Sequence, residues 1–382
     1  MLALPKSGFI ALSAAFLSTF AWPAAPVVKK VAAPSSLTPL QMLVGGRVLT
    51  ESSTNSGFGT AQYEYQWPGT YFEGRFEGSE VYFQIGKGHE ILHVVLDNDP
   101  PVVLTNPDPG VYRLSGFNGG PHTVRLCVVT ESQSGPNYFG GFAVVIGEKP
   151  AGEKPLAPKR VRRQIEFIGD SHTVGYGNTS AKRQCTQDQV WSTTDNSQAF
   201  GPLVAGYYHA DYQINAISGR GIVRNYNGFP ADTLPAAYPY VLFDKKEEYS
   251  DRTWKPQLIV ISLGTNDFST PLNPGEKWKT RDELHSDYEA TYIRFVHTLR
   301  VRNPNAYIIL WATDMANGEI GSEVEKVVEQ LKKDGDRNVA FVPVEHLSFT
   351  GCDYHPSTAD DNLIRDALVR VIDANPEIWQ GQ

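Results

Sequence analysis

The sequence predicts an all-β, jelly-roll-like sandwich domain followed by a three-layer α/β/α domain built on a parallel sheet. Three observations carry that prediction. Short runs rich in β-branched and aromatic residues, split by Gly, Pro and Asn, fill positions 45 to 145. A proline-punctuated stretch of low apolar content, Gly147 to Pro158, comes next. Beyond it, apolar strand-like runs alternate with helical patterns, the order that gives a parallel sheet covered on both faces.

Lys6, the apolar run Gly8 to Trp22, and small residues Ala24 and Ala25 read as an export signal over residues 1–25. The run is shorter than the roughly 18 residues of a spanning segment, and no later stretch reaches that length. An uncleaved anchor is the alternative. Residues 26–39 read as a Pro/Ala-rich lead without a core of its own. The sandwich occupies 40–146, with strand-like runs at Tyr63 to Trp67, Tyr71 to Phe76, Val81 to Ile85, Leu92 to Leu96, Val124 to Thr130 and Phe142 to Ile146. Trp67-Pro68-Gly69, Asn98-Asp99-Pro100 and Asn118-Gly119-Gly120 are its turn signals. Residues 147–160 form a linker.

The second domain, 161–382, has strand-like runs at 165–168, 212–217, 258–263, 306–311 and 339–344. Its clearest helical patterns are Arg281 to Arg302, Ser322 to Lys333 and Asp360 to Ala374. Ser357 or Thr358 caps the last of these, with Asp360 and Asp361 in the first turn, which leaves His355 on the preceding loop.

A chain of 382 residues with 41% hydrophobic and 20% charged residues is an ordinary globular protein large enough for two cores. A net charge of -8 argues against nucleic acid or an anionic membrane as the main partner. No Cys or His spacing resembles a metal site, so neither metal nor cofactor is expected. If a disulfide forms among the three cysteines, it joins Cys185 to Cys352, leaving Cys127 free; three free thiols are the alternative.

The chemistry sits at strand ends. Gly169-Asp170-Ser171 follows the apolar run 165–168, Gly219 follows the second run, Gly264-Thr265-Asn266-Asp267 breaks the third, and His355 precedes the last helix. A serine hydroxyl needs a base to take its proton and donors for the oxyanion it creates. Ser171 fits the nucleophile and His355 the base. The N–H groups of Ser171 and Gly219 and the side-chain amide of Asn266 fit the oxyanion donors. Each signal alone reads equally as a turn or helix cap; the ordered set points to a serine esterase.

These blocks resemble the SGNH (GDSL-like) hydrolases over about residues 161 to 375. A more specific resemblance is to carbohydrate esterase family 2, carried by Gly169-Asp170-Ser171-His172-Thr173-Val174-Gly175-Tyr176-Gly177-Asn178 and Gly351-Cys352-Asp353-Tyr354-His355-Pro356-Ser357. That resemblance implies an SGNH domain behind a small sandwich and removal of acetyl groups from plant polysaccharides or their oligosaccharides, notably at O6. The general SGNH pattern places Asp three residues before the base, where this chain has Cys352, with Asp353 one position later. We therefore expect a backbone carbonyl near His355, such as that of Cys352, to accept the Nδ1 proton, with Asp353 secondary.

Asp170 reads as a cap or loop former and His172 as a wall residue. Tyr176, Trp191, Trp311 and Tyr354 are candidates for stacking on sugar, against the commoner core role of aromatics. We read the sandwich as a packed accessory shaping one wall of the site; glycan binding through Trp67 and Tyr71 is the alternative. The expected activity is an exported, monomeric carbohydrate O-acetyl esterase. The rivals are an SGNH lipid esterase, thioesterase or lysophospholipase, and a catalytically degenerate glycan-binding protein.

Overall fold

A computed structural model of the chain describes residues 25–51, 58, 62–145, 158 and 160–380. The expected export signal, apart from Ala25, and most of the expected linker lie outside them. The first domain is antiparallel, with strands β1 (Val27–Val31), β2 (Thr38–Pro39), β3 (Met42–Gly45), β4 (Leu49–Glu51), β5 (Gln62–Tyr65), β6 (Tyr71–Ile85), β7 (Ile91–Leu96), β8 (Val102–Thr105), β9 (Gly110–Val128) and β10 (Asn137–Val144). The second alternates strands β11 (Gln164–Gly169), β12 (Asp211–Ala216), β13 (Leu258–Ser262), β14 (Tyr307–Thr313) and β15 (Val339–Val344) with helices. These are α1 (Ser171–Val174), α2 (Gln187–Thr193), α3 (Phe200–Tyr207), α4 (Leu234–Ala237), α5 (Thr265–Phe268), α6 (Arg281–Arg302), α7 (Glu319–Lys333) and α8 (Thr358–Asp373).

Two expectations for the first domain are corrected. The runs Tyr71 to Phe76 and Val81 to Ile85 belong to one strand, and Asn118-Gly119-Gly120 is not a turn: β6 and β9 run through these points, paired along their length with a register shift between Gly78 and Glu80. One half of each strand pairs with β3 and β7, the other with β10 and β1. Glycine inside a strand permits the bend between two such halves. The halves share one core, with Phe72 and Leu126 from one, Phe83 and Leu114 from the other, and Phe142 from β10. The 26–39 lead, in turn, is not outside the domain. Val27–Val31 adds an edge strand to β9, and Val31 and Leu37 pack against Phe58, Tyr82, Val111 and Ala143. A segment without its own core can still complete a neighbour's.

The parallel sheet has the order β12-β11-β13-β14-β15. Successive residues of β13 enter opposite layers, as a strand's period of two requires. Leu258 and Val260 pack with Phe200 and Val204 of α3 and Ile364 and Leu368 of α8. Ile259 and Ile261 pack with Tyr288 and Val296 of α6 and Val324 and Val327 of α7. The chain leaves β11 toward opposite sides for β12 and β13, so a crevice opens at their carboxyl ends. Ser171, Gly219 and Asn266 all lie there.

The two domains are docked through buried polar contacts. Arg47 lies 5.2, 4.3 and 4.7 Å from the ring centroids of Trp67, Tyr238 and Tyr249. It donates to the Tyr238 carbonyl and, at 3.4 Å, to Glu166 of β11. Trp67 Nε1 donates to the Val241 carbonyl at 2.8 Å, and the Tyr71 hydroxyl bonds Asp211. Trp67 and Tyr71 are thus buried between the domains, which overturns their reading as exposed glycan contacts. Arg47→Ala leaves the buried Glu166 carboxylate without its cation and is expected to destabilise the protein by about 3–5 kcal/mol. Urea unfolding checks this; an unchanged midpoint contradicts it.

Candidate active site

Ser171 is the first residue of α1, immediately past β11. Asp170 caps that turn by accepting from His172 N at 3.1 Å. The Ser171 N–H precedes any intrahelical acceptor, as first-turn donors do. His355 approaches from the loop before α8, where Ser357 is the cap in a reciprocal pair with Asp360. His355 Nε2 lies 2.8 Å from Ser171 Oγ, and His355 Nδ1 lies 2.9 Å from the Cys352 carbonyl. A carbonyl only accepts, so Nδ1 carries the proton and Nε2 is left bare to receive the serine hydroxyl.

The base loop is held from several sides. Asp353 and Tyr354 both adopt left-handed backbone, φ 50° and 62°. Cys352 N donates to the Gly177 carbonyl at 3.2 Å and Asp353 N to that of Arg183 at 2.6 Å. Cys185 and Cys352 form a disulfide, the expected pairing, and Cys127 is the free thiol. The bridge spans 167 positions in sequence, and the loop-entropy relation gives an upper figure of about 5 kcal/mol for such a closure. Cys185→Ser is expected to lower the denaturation midpoint and also kcat, because Cys352 carries the carbonyl that orients His355. A drop in stability with unchanged kcat contradicts that link.

The Asp353 carboxylate is directed to Tyr176 while the Cys352 carbonyl is the acceptor at His355 Nδ1. Asp353 is exposed and accepts from the Tyr176 hydroxyl at 3.3 Å. Burial holds the His355 pKa below its ordinary value of 6.5, while the Cys352 carbonyl and the Asp353 charge pull upward. His355 must be neutral to accept a proton, so kcat/KM is expected to fall on acidification with a midpoint below 6.5. Asp353→Asn removes an upward influence and should move that midpoint further to acid while costing about tenfold or less in kcat. Losing a true triad carboxylate costs about 10⁴-fold. A loss of that size, or an alkaline move of the midpoint, contradicts the carbonyl-anchored base.

Asn266 lies in α5, entered through Gly264 at φ 133°. A Cβ at Gly264 would stand 2.6 Å from the Tyr288 hydroxyl, itself bonded to the Leu263 carbonyl, so the turn has no room for another residue type. Asn266 Nδ2 donates to Asp170 Oδ2 at 3.0 Å and to the Arg220 carbonyl at 2.9 Å. Burial pushes the Asp170 carboxyl up to about 7, with the Asp267 charge adding to it. Gly219, φ 80°, sits on the loop after β12 and lines the same cleft as Ser171, Asn266 and His355.

The cleft holds about 900 Å³. Tyr176 and Tyr354, two of the candidates for stacking on sugar, line it, with Tyr176 4.3 Å from His355 ring to ring. His172 is a wall residue, kept uncharged by burial and by His355 nearby, its pKa pushed down to about 3. Two expected sugar platforms are elsewhere. Trp311, on β14, is buried against Phe200, 5.0 Å between centroids. Trp191 stacks on His89 of the first domain at 4.2 Å. Aromatic type alone does not separate a platform from core or interface packing. Reading the sequence missed Tyr226 and Phe229, each 55% exposed at the cleft, and Glu131 and Gln133 from the first domain. The aromatic, Gly-containing stretch Tyr226-Asn227-Gly228-Phe229 soon after Gly219 is a usable signal for the first pair. Nothing marks the second.

Residues 46–152 match the carbohydrate esterase 2 N-terminal family and residues 165–368 the GDSL-like lipase/acylhydrolase family. An acetylxylan esterase / glucomannan deacetylase of Cellvibrio japonicus is 45% identical over 91% of this chain and 94% of its own length. The chain belongs to carbohydrate esterase family 2. A solved carbohydrate esterase, whose active site displays divergent catalytic and non-catalytic binding functions, superposes on the esterase with a TM-score of 0.80 at 45% identity, covering 90% of this chain and 100% of that one. A family two carbohydrate esterase from Clostridium thermocellum, solved with cellohexaose, gives a TM-score of 0.74 at 28% identity, covering 88% and 99%. The esterase is therefore a carbohydrate esterase with a GDSL-type serine hydrolase domain behind an antiparallel one.

Proposed function

We propose that the esterase removes acetyl groups from plant polysaccharides or their oligosaccharides through an acetyl-serine intermediate. The 2.8 Å contact between His355 Nε2 and Ser171 Oγ at the base of an open cleft carries this reading. Ser171 Oγ attacks the acetyl carbonyl as its proton passes to His355 Nε2. The N–H groups of Ser171 and Gly219 and the Asn266 amide receive the oxyanion. Both Asn266 hydrogens have partners in the resting structure, so one of them must be shared with the oxyanion as it forms. His355 then gives its proton to the departing sugar oxygen, which leaves as the free hydroxyl, and the same nitrogen deprotonates the water that releases acetate.

Acetylated xylan and glucomannan are the expected backbones, following the deacetylase relative, and the relative solved with cellohexaose supports a glycan lying along the cleft. Glu131, Gln133, Asn227 and Asp353 among the lining residues suit a hydroxylated substrate better than a long acyl chain. The apolar signal-like N-terminus and the disulfide support export, and we take the esterase to act as a monomer. Acetate release from both glycans followed by NMR identifies backbone and position. A p-nitrophenyl ester series should peak sharply at acetyl; a maximum at octanoyl or longer refutes the reading in favour of a lipid esterase.

A further inference from the structure

The loop that presents Gly219 is gripped by two side chains of the antiparallel domain, Glu131 and Gln133, on the connection between β9 and β10. Ser218 N donates to Glu131 Oε2 at 2.9 Å, and Gln133 Nε2 donates to the Ser218 carbonyl at 3.1 Å. Gln133 Nε2 also meets Glu131 Oε1 at 3.3 Å, and Arg220 Nη2 meets Gln133 Oε1 at 3.4 Å. The Ser218 carbonyl and the Gly219 N–H belong to one peptide unit, which is planar and trans, so fixing the carbonyl fixes the direction of the N–H opposite it. Gly219 is at φ 80° with open space where a side chain would be, so little else braces that plane. The loop is tied elsewhere by Ile217 N to the Gly169 carbonyl at 3.2 Å, Arg220 N to the Ile217 carbonyl at 3.3 Å, Tyr226 N to the Gly219 carbonyl at 2.9 Å and Asn266 Nδ2 to the Arg220 carbonyl at 2.9 Å, bonds made by the peptide units on either side of the Ser218–Gly219 one.

From this geometry we infer that Glu131 and Gln133 are positioning residues for catalysis, aiming the Gly219 N–H at the oxyanion and making the antiparallel domain part of the catalytic machinery. The inference rests on the proposed role of Gly219 as an oxyanion donor. A misdirected donor is lost only in the transition state, so the effect belongs in kcat and leaves KM alone.

Gln133→Leu, Glu131→Leu, Glu131→Gln and Gly219→Ala in the full chain separate the two claims, with p-nitrophenyl acetate as substrate and phenylboronic acid as probe. The boronate adduct on Ser171 places an oxygen where the oxyanion forms. Each leucine variant should lower kcat by about tenfold, less than the 10²–10³ for outright loss of a donor, with KM within about twofold and weaker boronate inhibition by a similar factor. Glu131→Gln keeps an acceptor for Ser218 N and should recover most of the loss. Gln133 is exposed, so its replacement leaves the fold intact, which circular dichroism confirms. If Gly219→Ala lowers kcat while both leucine variants match wild type, the positioning inference falls and the oxyanion role of Gly219 stands. If none lowers kcat, the role of Gly219 falls and the inference with it. A rise in KM at constant kcat makes the pair substrate contacts and likewise overturns the inference.

Discussion

Ser171→Ala and His355→Ala are each expected to lower kcat by at least about 10³-fold, and the double variant to be little worse than either. The reason is their single shared contact, 2.8 Å between Ser171 Oγ and His355 Nε2. Without the base the hydroxyl keeps its proton; without the hydroxyl the base has nothing to activate but water. What remains in every case is the same oxyanion site and the same cleft. Steady-state kinetics on p-nitrophenyl acetate checks it. Losses that multiply in the double variant mean that the two residues act separately.

Asn266→Ala should cost about 10²–10³-fold, nearly all in kcat, as for removal of one oxyanion donor. The amide is placed by two acceptors, Asp170 Oδ2 and the Arg220 carbonyl. Deleting it also strips a hydrogen bond from Asp170, which caps the turn carrying the nucleophile. The effect should therefore sit at the upper part of that range. A change confined to KM would make Asn266 a substrate contact instead of an oxyanion donor.

Where function depends on short-range order along the chain, the sequence is readable. Ser171, Gly219 and Asn266 each follow a buried strand, and strand ends on one side of a parallel sheet converge. The anchor of His355 could be inferred because Cys352 occupies the position where a carboxylate is usual, and the structure puts the Cys352 carbonyl at Nδ1. The disulfide was legible for a similar reason, since both cysteines flank active-site segments.

Contacts between domains leave no such trace. Arg47, Trp67 and Tyr71 look like ordinary strand and turn residues until the second domain covers them. Nothing in the sequence marks Glu131 and Gln133, and only tertiary packing brings them to Ser218. The Gly-rich middles of β6 and β9 mislead for another reason: local turn preference is strong there, but pairing of two long strands on both sides of the bend outweighs it. Trp311 and Trp191 show the weakness of aromatic type as a functional signal, since a buried strand and a domain interface use the same residues as a sugar platform.

The most direct test of the covalent route is rapid-quench peptide mapping during turnover of an acetylated substrate. Wild-type protein should carry an acetyl group on the peptide containing Ser171, transiently and in amounts that decay as substrate is exhausted, and Ser171→Ala protein should carry none. Acetate release by wild type with no acetylated peptide at any time, or with the acetyl group on another residue, would contradict Ser171 as the nucleophile.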